Sequence, residues 1–430
     1  MNIQRLVIRN FRNIGDDEVL FDLNSRFTVI IGVNGRGKST ILNALRVACG
    51  AFFLGIPDVK QKGGIKSEEI RQLEERGLLI SVKPVKVEAY GTMAGTSEGI
   101  IWRRQIVKGS NSNSSTEADV GQIRQLGQQK YNEVTENRND AVGLPVIALF
   151  GTSRAHGAGR ASKTRIGRQL FKDGYQDWSE MKSTSFSYEN WLKSYDILKE
   201  GGREYAHTKD AFFNALKKGN RYIEEVREVA GKLWLKVKLE DQISEFLPIE
   251  LHSDGIRFYT EMIAELAYRC IVLNGYLDAD AVTGSYGIVM IDELDLHLHP
   301  NWQKVVVQDL KNAFPHIQFV VTTHSPFIVQ SLESSELINL DPVAGLDEDP
   351  QKYSIEEVAE QEMGVKNVER STQFMEMQQA AATYFELVKG DAEPERIGRA
   401  KVLLDQLRIK YANDPAYVAL LESELPKNTL

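Results

Sequence analysis

The sequence holds only two cysteines among 430 residues, Cys49 and Cys270, 221 positions apart. That excludes a disulfide framework and any cysteine-built metal cluster. Each follows a helical-looking apolar stretch and reads as a small buried hydrophobe in a reducing compartment, the cytoplasm. Long apolar runs are also missing. No stretch approaches the roughly 18 consecutive apolar residues that a membrane span needs, so no membrane association is expected. The arginine-bearing N-terminal segment lacks the apolar run of a secretory leader. Positive charge is not in excess either: 52 Lys and Arg stand against 60 Asp and Glu, a net charge of −8. Because neutralising phosphates supplies most nucleic-acid affinity, this balance argues against a self-sufficient DNA-binding module, though not against a local basic face. There is no internal repeat. What remains is the composition of an ordinary globular chain, 42% hydrophobic and 26% charged, long enough for two or three lobes.

The pattern along the chain divides it. Residues 3–8 alternate as a strand, 10–17 are turn-like, and 27–31 form a short apolar run. Residues 40–49 then take helical spacing, with Ile41, Leu42, Leu45 and Ala48 on one side. Segments 82–90 and 99–107 read as a paired antiparallel element, and the Ser/Asn-rich 109–116 as a loop. An apolar run returns at 144–150. Residues 173–237 read as helix-rich, with Trp178, Trp191, Tyr195, Phe212 and Phe213 recurring at helical spacing as packing groups. After 249 the chain turns α/β: a helix at 260–273, a buried strand at 287–291, a helix at 302–314, a second buried strand at 317–323 and a short edge strand at 336–340. The region 355–430 reads as helical and polar.

Between the apolar run 27–31 and the helix 40–49 lies Gly32-Val33-Asn34-Gly35-Arg36-Gly37-Lys38-Ser39, followed by Thr40. It fits the phosphate-loop pattern G-x-x-x-x-G-K-[ST] in the required strand–loop–helix context. Glycines let the backbone curl so that successive N–H groups face phosphates, and the helix adds its positive N-terminal end. Lys38 reaches the terminal phosphates of ATP, and the Ser39 hydroxyl is a ligand for Mg²⁺.

The far end of the chain carries complementary pieces. The strand 287–291 ends in Asp292 and Glu293, where Asp292 can hold Mg²⁺ and Glu293 can polarise an attacking water. The strand 317–323 ends at His324 in Thr322-Thr323-His324-Ser325-Pro326. In a parallel sheet the C-terminal strand ends share one crevice, which would gather Lys38, Asp292, Glu293 and His324. Upstream, Ser253-Asp254-Gly255 is first of all a helix N-cap, and its free N–H groups would also suit a γ-phosphate.

In this order the pieces resemble the ABC-type heads of the SMC/RecF/OLD group of ATPases. Gly32–Ser39 is similar to Walker A, Ser253-Asp254-Gly255 to the signature motif, and the strand ending at Asp292-Glu293 to Walker B. Leu294-Asp295 resembles the D-loop and His324 the switch histidine. Ile8-Arg9-Asn10-Phe11-Arg12-Asn13 is similar to the group's opening strand and turn, which places Arg12 near the nucleotide. The resemblance implies two subunits closing head to head on two ATP, with Lys38, Ser39, Asp292 and Glu293 acting in cis. Ser253 and Gly255 would act in trans, and His324 would read the γ-phosphate. Two departures stand out. His252 replaces the usual leucine-serine opening of the signature, and no glutamine follows 144–150, where Arg154 is the candidate to face the nucleotide.

The insertion is too short for a coiled-coil arm, and the one acidic run after His324, Asp347-Glu348-Asp349, reads as a solvated loop rather than a nuclease centre. The expected fold is therefore an α/β, ABC-type P-loop ATPase head split by a helical insertion, with a helical C-terminal tail. Its parts are an N-terminal lobe at 1–160, the insertion at 161–245, a C-terminal lobe at 246–342 and a tail at 343–430. Leu296-His297-Leu298-His299-Pro300 is similar to OLD and related defence ATPases, and the tail resembles the ATPase subunits of Septu-type anti-phage systems and their retron-linked relatives. That resemblance implies a homodimer or higher homo-oligomer controlling a separate HNH-type nuclease, with nucleic acid reached through the complex. The alternatives are a RecF-like repair ATPase that binds DNA directly and a nucleotide-bound scaffold with little turnover.

Overall fold

The chain begins with β1 (Asn2–Arg9), β2 (Val19–Asp22) and β3 (Phe27–Ile31), followed by α1 (Lys38–Gly50). A hairpin, β4 (Gln72–Glu75) and β5 (Leu78–Ser81), precedes β6 (Val85–Thr92), β7 (Ile100–Ile106), α2 (Glu117–Thr135) and β8 (Val146–Phe150). Helices α3 (Leu170–Gly174), α4 (Phe186–Glu200) and α5 (Thr208–Gly219) follow, then β9 (Ile223–Val229), β10 (Lys232–Leu239), β11 (Gln242–Ile243) and β12 (Leu247–Pro248). The last part runs through α6 (Asp254–Asn274), β13 (Tyr286–Ile291), α7 (Pro300–Gln303), α8 (Val306–Ala313), β14 (His316–Thr322), α9 (Pro326–Gln330) and β15 (Leu337–Asn339). This computed structural model describes residues 1–93, 98–114, 116–137, 139, 141–152, 170–180, 186–239, 242–341 and 345–365, with a few isolated positions between 379 and 406. Arg154 and most of the expected tail lie outside the described residues. Two compact units divide at Val358, Met1–Val358 and Ala359–Leu430.

The central sheet has the order β15-β3-β14-β13-β8, and every pairing in it is parallel. Its strands explain why. β3 and β8 are buried at every residue, and β13 and β14 at all but their first, the unbroken apolar pattern of strands covered on both faces. The C-terminal ends of β3, β13 and β14 therefore lie along one edge. A second sheet, ordered β2-β1-β6-β7, is antiparallel throughout. One buried polar residue ties the two sheets together. Gln318 of β14 accepts from the Ile3 N–H at 2.8 Å and donates to the Ile3 carbonyl at 2.7 Å, with no exposed surface. A neutral amide that satisfies a strand edge in this way costs little burial energy and fixes the register of β1 on the core.

Three sequence expectations need correction. The insertion is not helical throughout, because β9 and β10 form an antiparallel hairpin. Leu233, Leu235 and Val237 are buried, while Lys232 is exposed and Trp234 and Lys236 are half-buried, a period of two. Ala230 and Gly231 both take positive φ, 54° and 86°, as a two-residue hairpin turn requires. The helix expected at 302–314 is two helices, broken at Lys304 and Val305. The helix after the Ser-Asp-Gly motif begins at Asp254 rather than at 260. The aromatics Trp178, Trp191, Tyr195 and Phe212 are buried, as packing groups should be.

Candidate functional site

The loop between β3 and α1 is shaped by three glycines at positive φ: Gly32 at 150°, Gly35 at 87° and Gly37 at 108°. Gly37 also caps α1, and among the described residues no side-chain cap meets the first amides of that helix, which can face an anion. Asn34, Gly35 and Arg36 are exposed along the loop. Lys38 is almost buried, and its Nζ donates to the Gly32 carbonyl at 2.6 Å, so the side chain folds back along the concave side of the loop. Burial lowers the pKa of this ammonium, while Asp292, Asp341, Glu293 and Asp295 oppose that shift.

β13 delivers the acids. The Ser39 hydroxyl donates to Asp292 Oδ2 at 2.9 Å, and the Thr322 hydroxyl donates to Asp292 Oδ1 at 2.6 Å. Ser39 and Asp292 thus present hard oxygen donors side by side, the kind that Mg²⁺ takes when phosphates and waters complete its shell. Glu293 sits at φ 50°, a left-handed conformation that costs energy for a non-glycine residue and is retained where the surroundings impose it. Here the imposing bonds are the Glu293 N–H to Thr322 Oγ1 at 2.8 Å and the Leu294 N–H to the Thr322 carbonyl at 2.9 Å. Thr322, at the end of β14, therefore fixes both acids. Asp295 accepts from Thr323 Oγ1 at 2.6 Å and from the His324 N–H at 3.2 Å, joining the loop after β13 to the exposed His324.

Lys38, Ser39, Asp292, Glu293, Asp295 and His324 thus converge on one edge, as the parallel-sheet argument requires. Among the described residues, no hydrogen bond or ion pair joins Ser253 or Gly255 to the phosphate loop. Ser253 is exposed and makes no side-chain cap on the 21-residue α6. Gly255 instead packs on the loop after β13, since a Cβ there would lie 2.3 Å from the His297 carbonyl oxygen. Arg12 is exposed in its turn, at φ 53°, with its N–H bonded to the Glu69 carbonyl at 2.7 Å.

Sequence reasoning missed two residues that grip the loop. Asn13, beside Arg12, donates to the Gly35 carbonyl at 2.9 Å and accepts from the Thr40 hydroxyl at 2.7 Å. Thr40 is therefore buried and committed to Asn13. Asp341, just past β15, accepts from the Val33 N–H at 2.6 Å and lies 2.9 Å from Arg36 Nε. Asn13 had a signal in the sequence, since it closes the N-terminal motif that begins at Ile8. Asp341 carried no signal.

A parallel sheet with a glycine-shaped phosphate loop after β3 and an acid pair after β13, one strand beyond the intervening β14, defines a P-loop nucleotide-binding fold. The family described as AAA domain matches residues 5–249, more than half of the chain, and the protein belongs to it. Among curated relatives, it is 23% identical over 363 residues to the retron Vc95 probable ATPase of Vibrio cholerae, covering 72% of this chain and 68% of that protein. It is 37% identical over 133 residues to the Septu protein PtuA of Bacillus thuringiensis, which covers 28% of this chain and 31% of PtuA. Among solved structures, the SMC head domain from Thermotoga maritima aligns at a TM-score of 0.43 and 17% identity, covering 79% of this chain and 94% of that one.

Proposed function

We propose that this protein is an ATPase subunit that closes as a homodimer on two ATP and Mg²⁺ and controls a separate nuclease in anti-phage defence. The observation that carries the reading is the Ser39–Asp292–Thr322 chain of hydrogen bonds, which sets a phosphate loop against an acid pair at one strand edge. In this reading Lys38 and the loop amides bind the phosphates, while Ser39 and Asp292 hold Mg²⁺, which supplies charge neutralisation there. Glu293 accepts a proton from the attacking water, and His324 reads the γ-phosphate. The exposed Ser253 and the half-buried Gly255, at the start of α6, complete the partner's site. The lobes at 1–160 and 246–342 form the head. The insertion at 161–245 and the tail at 343–430 are the candidate surfaces for an HNH-type nuclease. The names of the relatives, a retron ATPase and a Septu protein, support the defence setting.

The test is the native mass of the complex isolated from its host, with and without MgATP. A second polypeptide with nuclease activity in fixed stoichiometry is expected. The ATPase alone, dimerising with ATP and binding DNA with a steep salt dependence, would transfer the protein to direct DNA repair.

A further inference from the structure

The carboxylate of Asp341 lies 308 positions from the Val33 amide it accepts, and its side chain is 6% exposed. A buried carboxylate is costly unless its charge is met. Here the Val33 N–H meets Oδ2 at 2.6 Å, and the Arg36 guanidinium stands 2.9 Å from Oδ1 as an ion pair without hydrogen-bond alignment. The backbone is built for this contact. β15 pairs with β3 up to Asn339 beside Ile31, and the Leu340 N–H extends the ladder to the Ile31 carbonyl at 3.1 Å. The Asp341 N–H then bonds to Asn339 Oδ1 at 3.0 Å, turning the chain toward the phosphate loop. A Cβ on Gly32 would lie 3.1 Å from Leu340 Cβ and 3.5 Å from Asp341 Oδ2, so the glycine that opens the loop also admits this neighbour.

From this geometry we infer that Asp341 is a positioning residue for nucleotide binding, holding the entry of the phosphate loop at Val33 and anchoring Arg36 on its outer side. The inference deepens the ATPase reading and rests on it. An exposed loop held only by its own glycines would lose entropy on each binding event. A loop already held at Val33 by Asp341 and at Gly35 by Asn13 has little left to order. The anchored Arg36 also keeps its charge at the rim, where it meets an incoming polyphosphate without occupying the concave side that Lys38 fills.

The experiment compares the full-length wild type with Asp341→Ala, Asp341→Asn, Arg36→Met and the Asp341→Asn/Arg36→Met double variant. The readouts are equilibrium binding of a fluorescent ATP analogue, MgATP-dependence of turnover, and thermal unfolding without nucleotide. Asp341→Ala should raise Kd and KM about tenfold, as loss of a charged hydrogen bond implies, with a much smaller change in kcat and in unfolding temperature. Asp341→Asn keeps an acceptor for Val33 and should recover part of the loss. The double variant should cost less than the sum of its parts. Unchanged Kd and KM in Asp341→Ala, or a parallel fall of kcat and thermal stability, would overturn the positioning role. A wild type that neither binds nor hydrolyses ATP would instead sink the ATPase reading beneath it.

Discussion

Ser39 and Asp292 stand 253 positions apart in the chain, yet the serine hydroxyl donates to the carboxylate across 2.9 Å. That contact joins the start of α1 to the end of β13 and makes one oxygen-lined edge out of two distant motifs. Asp292→Asn leaves the hydrogen-bonded shape nearly intact and removes the charge that would hold a divalent cation. Turnover in this variant should need a much higher Mg²⁺ concentration and fall by at least tenfold at ordinary Mg²⁺. A Mg²⁺ titration of ATP hydrolysis checks this.

Gly255 meets the His297 carbonyl so closely that an added methyl would sit 2.3 Å from it. Backbone cannot retreat like a flexible side chain, so Gly255→Ala should displace either the start of α6 or the loop that follows Glu293. If the signature acts across a dimer, each protomer of this variant keeps its own phosphate loop. ATP binding should then persist within about threefold, while dimerisation and turnover are lost by a factor on the order of 10². Binding and turnover assays on the same preparation separate the two effects.

Asn13 closes two hydrogen bonds on the phosphate loop, one to Gly35 and one from Thr40. Asn13→Ala leaves the buried Thr40 hydroxyl without this acceptor, a loss of about 1–3 kcal/mol. ATP affinity should fall by about tenfold, measured by titration calorimetry. An unchanged affinity would mean that the loop keeps its shape without the clamp.

Glu189 supplies a pH dependence away from the site. Burial pushes its carboxyl up to about 7, Glu250 and Glu261 add to the shift, and Lys232 opposes it. The folded protein therefore holds this proton after the unfolded chain has released it. The contribution to stability is complete below the ordinary glutamate pKa of 4.5 and declines as pH rises to about 7. Glu189→Gln should reduce the fall in unfolding temperature between pH 5 and pH 8, read by calorimetry. An identical fall in both proteins would contradict the assignment.

Much of this was legible in the sequence because the chemistry is local there. Gly32–Ser39 is contiguous, and the apolar runs before Lys38, Asp292 and His324 announce buried parallel strands whose ends must meet. Other features were hidden because their cause is distant. Asp341 matters through Val33 and Arg36, both distant in the chain, and in the sequence it is only the first residue after an expected edge strand. The β9–β10 hairpin was hidden for another reason. It follows three helices, and Glu224, Glu225, Arg227 and Glu228 mask its apolar alternation with charge. The packing of Gly255 on His297 depends on the left-handed turn at His297, φ 64°, which no side-chain pattern marks.

The central claim is that the edge holding Lys38, Asp292 and Glu293 hydrolyses ATP, and the most direct test is single-turnover hydrolysis by the wild type and by Glu293→Gln. A general base contributes about 10²–10⁴ in rate. The variant should therefore bind MgATP as tightly as the wild type and accumulate as the nucleotide-bound dimer, with its hydrolysis rate reduced by that factor. Equal hydrolysis rates in the two proteins would contradict the account.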